Sequence, residues 1–162
     1  HLKSIINRFV EKSGVKEPLS VKIQTNLPPS RGLGSSAAVA VAFVRASYDF
    51  MDQPLDDKTL IKEANWAEQI AHGKPSGIDT QTIVSNKPVW FKQGQAETLK
   101  SLKLNGYMVV IDTGVKGSTK QAVEDVHVLC ESDEYMKYIE HIGTLVHSAS
   151  ESIEQHLSLI HI

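Results

Sequence analysis

The stretch Leu27–Ala38, LPPSRGLGSSAA, sets two prolines, two glycines and three serines directly before a long apolar segment. Three readings compete for it. Gly32-Leu33-Gly34-Ser35-Ser36-Ala37 satisfies the spacing GxGxxA of a dinucleotide-binding turn. That motif needs a strand running straight into its first glycine and an acidic residue about twenty positions on, at the end of a second strand. Pro28 and Pro29 interrupt the approach, and Asp52, at about the right distance, falls in a turn after a helical pattern. A Walker loop is excluded because no Gly-Lys-Ser/Thr follows. A third reading survives: Gly32 and Gly34 permit backbone conformations in which peptide N–H groups converge on an anion. Ser35 and Ser36 then open a helix whose unpaired amides and dipole favour phosphate. A hydroxyl there can also reach a magnesium ion. The bland alternative is a glycine turn with a serine cap.

Outward from the loop, periodicity organises the chain. Residues 2 to 12 carry apolar positions Leu2, Ile5, Ile6, Phe9 and Val10 at helical spacing, and Gly14 stops the pattern. Residues 19 to 27 alternate at Leu19, Val21 and Ile23 and predict a strand. Ser35 to Phe50 is apolar on nearly every side, which predicts a core helix. Asp56 or Asp57 can cap a helix over Lys58 to Ala71, broken by HGKPSG and followed by a short helical piece. KPVWFKQG and QAETLKSLKL read as a hairpin. GYMVVID is a continuous apolar run that predicts a strand buried on both faces. A glycine-containing loop, DTGVKGST, then leads into helices over 118 to 130 and 133 to 155.

Bulk properties narrow the class of partner. In 162 residues, 41% are hydrophobic and 22% charged, as expected of a globular chain with a substantial core. A formal net charge of -2 with scattered basic residues gives no footprint for nucleic acid or for an anionic membrane. No run is long and apolar enough to span a bilayer, and no signal peptide is visible. The single cysteine, Cys130, excludes an internal disulfide framework. It fits a reducing, cytoplasmic setting, and its neighbours (VHVLC) predict a buried thiol. His127, His141, His147 and His156 lie on helical patterns without metal-ligand spacing.

A second constellation bears on the loop. In WAEQIAHGKPSGIDT, Glu68 shares a helical face with Ala64 and Ala71, and Asp79 follows the break. A carboxylate on a small-residue face is either solvated or held inward for a cation. Each acidic residue alone would be unremarked; beside the serine-rich loop they form a set.

PPSRGLGSSAA followed by E-x-x-x-H-G-x-P-S-G-I-D-T resembles the GHMP kinase superfamily of small-molecule kinases. Within it the likeness is to the bacterial-type branch whose acceptor is mevalonate; PVWFKQG and VVIDTGVKGSTKQAV extend it over nearly all of residues 1 to 156. The resemblance implies ATP-dependent phosphorylation of the primary hydroxyl of mevalonate, with ATP and Mg2+ as cofactors, and is compatible with a homodimer. It maps the phosphate-wrapping segment onto Pro28, Pro29, Ser30, Arg31, Gly32, Leu33, Gly34, Ser35 and Ser36. Ser36 and Glu68 match its magnesium ligands and Asp79 its catalytic aspartate. His72 and Thr113 correspond to positions beside the substrate.

The implied fold is a two-layer α+β arrangement. Residues 1–104 form an incomplete N-terminal, ATP-binding domain like domain 2 of ribosomal protein S5. Residues 105–156 begin a ferredoxin-like C-terminal domain. Residues 157–162, LSLIHI, are expected to be an artefact, because a common transposon-derived sequencing adaptor translates to them in one frame; a natural amphipathic tail is the alternative. The family's N-terminal lysine segment and its C-terminal glycine-rich motif have no counterpart here, so the isolated chain is expected to be inactive. Two other functions fit the motifs: a sister kinase acting on phosphomevalonate, homoserine or a sugar, and a catalytically silent ligand sensor. Retention of Ser36, Glu68 and Asp79 together argues against the sensor.

Overall fold

Leu2, Ile5, Ile6 and Phe9 recur on one face of helix α1 (Leu2–Ser13), which ends where Gly14 turns left-handed (φ 66°) and its amide donates to the Val10 carbonyl. The computed structural model describes residues 2–73, 75–92, 94–98, 107, 109–115 and 117–154. They fall into two compact units, His1–Leu99 and Lys100–Ile162. The boundary expected near Leu104 and the LSLIHI tail lie outside the described residues.

In the first unit, α1 is followed by α2 (Ser35–Phe50), α3 (Asp57–His72), α4 (Ile78–Ser85) and an antiparallel hairpin of β1 (Val89–Lys92) and β2 (Gln95–Thr98). The hairpin register pairs Trp90 with Glu97 and Phe91 with Ala96. Residues 99–104, the rest of its expected second strand, lie outside the described residues. Asp56 caps α3, its carboxylate accepting from the Thr59 amide at 2.6 Å. That backbone hydrogen bond, with the Thr59 side chain adding to it, holds the Asp56 carboxyl below its ordinary value.

The core lies where α2, α3 and α1 meet. Ala40, Val41, Phe43 and Val44 of α2 pack with Leu60, Ala64 and Ala67 of α3, Ile5 of α1 and Val84 of α4. Ala64 and Ala67 are fully enclosed, and their small side chains let α2 and α3 approach closely. Phe9 meets Phe43 edge to face with centroids 5.9 Å apart, an arrangement aromatic quadrupoles favour. The expectation that α2 is buried nearly all round is corrected: Ala42, Arg45, Ala46, Asp49 and Phe50 are exposed, so the helix buries one broad stripe.

A second tie between α1 and α3 is ionic. Arg8 Nε lies 3.1 Å from Glu63 Oε2, Lys12 Nζ contacts Glu63 Oε1, and the Arg8 guanidinium stacks 4.3 Å from the Trp66 ring centroid. Burial pushes the Glu63 carboxyl up, but the hydrogen bonds from Lys12 and Arg8 outweigh it and hold the pKa below its ordinary value of 4.5. A carboxyl depressed in the folded state stabilises fully above its unfolded pKa and loses that contribution as pH falls through the folded value. Glu63→Gln in the full-length protein is therefore expected to lower stability by about 1 kcal/mol at neutral pH. Thermal melts of the two proteins should converge as the pH drops below about 4. A difference that persists undiminished at pH 3 would contradict this assignment.

Two strand expectations are corrected. Leu19–Leu27 forms no strand, and its residues are exposed. Of GYMVVID, the described residues Tyr107 and 109–112 form no strand and are exposed, Tyr107 fully and Ile111 at 81%. Alternating or continuous apolar side chains suit a strand, but a strand exists only when its N–H and C=O groups find a ladder partner. Among the described residues neither segment has one.

The second unit holds α5 (Thr119–Leu129) and α6 (Asp133–Glu154). Ser118 caps α5, accepting from the Gln121 amide at 3.3 Å. Cys130 at the end of α5 is half-buried, not the enclosed thiol its neighbours suggested, because Val126, Val128 and Leu129 are themselves exposed. Among the described residues no helix is long and apolar enough to cross a membrane.

Candidate active site

The LPPSRGLGSSAA loop delivers the start of α2 through alternating left-handed residues, Ser30 (φ 59°), Gly32 (71°) and Gly34 (65°). Such alternation turns successive amides toward a common side, the geometry of an anion-binding concavity. Gly34 is the N-cap of α2 and supplies no side-chain hydrogen bond to the first turn. The loop from Leu27 to Ser30 is exposed, while Gly34, Ser35 and Ser36 are half-buried.

Ser36 stands in the first turn of α2 and donates its hydroxyl proton to Glu68 Oε1 at 2.7 Å. Glu68 reaches it from α3, one turn beyond Ala64 and beside Ala67, on the face that packs against α2. The carboxylate is only 5% exposed. Its second oxygen, Oε2, lies 3.6 Å from His72 Nε2, one helical turn further along α3. Glu68 was expected either solvated or held inward, and it is held inward.

Asp79 sits in the first turn of α4, where a negative charge meets the favourable end of the helix dipole. Its side chain is exposed, and it lies directly against the loop. A Cβ built on Gly34 would meet Asp79 Cγ and Ile83 Cδ1 at 3.8 Å each. The turn that aims it depends on Gly77, left-handed at φ 86°, which N-caps α4. Thus the structure brings Ser36, Glu68 and His72 into one cluster and sets Asp79 beside Gly34 at the edge of the same helix N-terminus. Thr113 belongs to the second unit, where it is exposed and its Oγ1 accepts from the Val115 amide at 3.5 Å.

One supporting residue escaped the sequence reading. The Asn65 side-chain amide packs on Gly77, its Nδ2 3.4 Å from where a Cβ would stand. Its Oδ1 is buried without a hydrogen-bond partner among the described residues. The signal was present in the spacing: Asn65 lies three residues before Glu68, on the same helical face.

The donor set suits a small hard cation. Two oxygens on adjacent corners of a magnesium octahedron stand roughly 3 Å apart, since each metal–oxygen bond is about 2.1 Å. Ser36 Oγ and Glu68 Oε1 already lie at 2.7 Å. Among the described residues no group of three or more His, Cys, Asp or Glu side chains is arranged for a metal. Magnesium takes one or two carboxylates and completes its shell with phosphate oxygens and water.

Comparison with known proteins fits this geometry. Residues 1–86, which include the loop, the Ser36–Glu68 pair, His72 and Asp79, match the GHMP kinases N terminal domain. The chain belongs to the GHMP kinases. Among its relatives, it is 36% identical over 117 residues to mevalonate kinase of Aeropyrum pernix, covering 72% of this chain and 36% of that protein. It is 33% identical over 155 residues to mevalonate kinase of Pyrococcus abyssi, covering 94% and 46%. In fold it is similar to the crystal structure of mevalonate kinase from methicillin-resistant Staphylococcus aureus, with a TM-score of 0.76 and 64% sequence identity, covering 96% of this chain and 50% of that one. The chain thus spans half or less of the length of each of these proteins.

Proposed function

We propose that the protein to which this chain belongs transfers the γ-phosphoryl group of ATP to the primary hydroxyl of mevalonate, giving 5-phosphomevalonate. The observation that carries the reading is the Ser36–Glu68 pair at the N-terminus of α2 with Asp79 against Gly34. Similarity to mevalonate kinases supports the choice of acceptor.

Phosphoryl transfer depends on positioning and on neutralising charge. Main-chain amides of Pro28–Ser36, excluding the prolines, take the phosphate oxygens, with the α2 dipole adding to them. Ser36 and Glu68 would hold a magnesium ion, which when bound would offset the negative charge of the phosphates. Asp79 accepts a hydrogen bond from the acceptor hydroxyl, orients it toward the phosphorus and takes its proton as the bond forms. An ordinary aspartate is a weak base, pKa near 3.9, so its value lies in placement and in timing with the growing acidity of the attacking oxygen. We assign residues 1–104 to the S5-like, ATP-binding domain and 105–156 to the ferredoxin-like domain. The single cysteine supports a cytoplasmic setting.

The test is a coupled ADP-release assay of the full-length protein with mevalonate, phosphomevalonate, homoserine and galactose as acceptors. Mevalonate is expected to give a kcat/KM at least 100-fold above the others, with no turnover when EDTA removes magnesium. Preference for any other acceptor, or ATP binding without turnover of any, would refute the assignment.

A further inference from the structure

Asn65 carries two costs that nothing in its own helix offsets. Asparagine inside a helix competes with the backbone and weakens it, and Asn65 lies in the middle of α3. Its Oδ1 is also buried without a hydrogen-bond partner among the described residues, and an acceptor so placed loses its hydration with no bond in return. What the side chain does make is a contact with Gly77. Its Nδ2, Oδ1 and Cγ stand 3.4, 3.8 and 3.9 Å from where a Cβ on that glycine would be, so the amide covers the bare side of the glycine.

That glycine starts the helix on which Asp79 sits. Gly77 is the N-cap of α4, with no side-chain hydrogen bond to give, and its carbonyl accepts from the Gln81 amide at 3.0 Å. Ser76 Oγ accepts from the Ile78 amide at 3.4 Å, the long end of a hydrogen bond. A helix of eight residues is too short to hold itself, so packing must fix where it begins. Thr80, almost wholly enclosed, anchors the turn just beyond Asp79, and the Asn65 amide braces it just before. The backbone of Asn65 is itself held, between the fully enclosed Ala64 and Ala67.

Resting on the kinase reading above, we infer that Asn65 is a positioning residue that fixes the Gly77 turn against α3 and so sets where Asp79 stands relative to the Ser36–Glu68 pair. One helix, α3, then carries both the carboxylate for the metal and, three residues earlier, the brace for the base. The fit of the side chain does this rather than its hydrogen bonding, since Oδ1 has no donor among the described residues.

The experiment measures phosphate transfer from radiolabelled ATP to mevalonate by the full-length protein. Asn65→Ala empties the space beside Gly77 and is expected to lower kcat about 10–10²-fold, the cost of misplacing a reacting group by about 1 Å. Nucleotide affinity and the Mg2+ concentration for half-maximal rate should stay within about threefold, since the loss falls on the chemical step. Asn65→Leu keeps the branching and the number of heavy atoms while removing the unpaired oxygen. It is expected to recover most of the lost kcat and to melt no lower than wild type. In an Asp79→Asn background, Asn65→Ala should change kcat less than about threefold, because the group it positions is already disabled. The same loss in both backgrounds would show that Asn65 acts on the site as a whole and would overturn the inference. So would an unchanged kcat in Asn65→Ala, or an Asn65→Leu protein as slow as Asn65→Ala. A wild-type protein that phosphorylates no acceptor would instead remove the kinase reading itself, and the inference with it.

Discussion

Asp79→Asn is expected to lower kcat of the full-length kinase by about 10²–10⁴, the range spanned by loss of a positioned general base. The substitution keeps size and hydrogen-bonding reach but removes the proton acceptor. Asp79 is exposed and its side chain rests on the Gly34 backbone, so the fold loses no buried contact. Nucleotide affinity, measured with a fluorescent ATP analogue, is expected to stay within about threefold, because the phosphate loop and the Ser36–Glu68 pair are untouched. Turnover within tenfold of wild type would remove Asp79 from the base role. Lost nucleotide binding together with lost turnover would show that the residue shapes the loop instead.

Glu68→Gln should separate activity from stability in the opposite sense. The variant retains the shape of the side chain and a carbonyl oxygen to accept from Ser36, while deleting a charge that is 5% exposed. Taking a carboxylate out of water carries a desolvation cost that its neighbours Ser36 and the half-exposed His72 offset only in part. The melting temperature without metal is therefore expected to stay level or rise. Turnover at millimolar magnesium is expected to fall about 10²-fold, with partial recovery as magnesium is raised, because on the proposed reading Glu68 is a charged ligand of the cation. Full turnover at ordinary magnesium would show that the carboxylate serves another purpose. A large drop in melting temperature would show that the charge contributes to folding rather than to the metal.

The helices and the chemistry of the site were legible in the sequence for different reasons. α2, α3 and α4 announce themselves locally, through the apolar period, the Asp56 cap and the glycines at 73 and 77. Each of these signals is complete within one or two turns of chain. The Ser36–Glu68 contact spans 32 residues, yet it follows once both helices place their small-residue faces together. What misled were the two strands that needed a partner from elsewhere in the chain, whereas the hairpin, whose strands pair with each other, formed as read. Leu19–Leu27 and the VVI of GYMVVID carry strand side chains, but side chains report a preference and the ladder supplies the structure. The packing of Asp79 on Gly34 was illegible for another reason. A glycine advertises backbone freedom, and nothing in the sequence says which residue will occupy the space its missing side chain leaves.

That space has a consequence for how the two ends of the reaction are held apart. At Gly34 bare main chain faces the side chains of Asp79 and Ile83, whose Cγ and Cδ1 stand 3.8 Å from where its Cβ would be. On the proposed reading, a side chain at this position would stand between the phosphate loop and the general base. On that reading, enlarging Gly34 would disturb the approach of the two groups before it disturbed the room left for the acceptor.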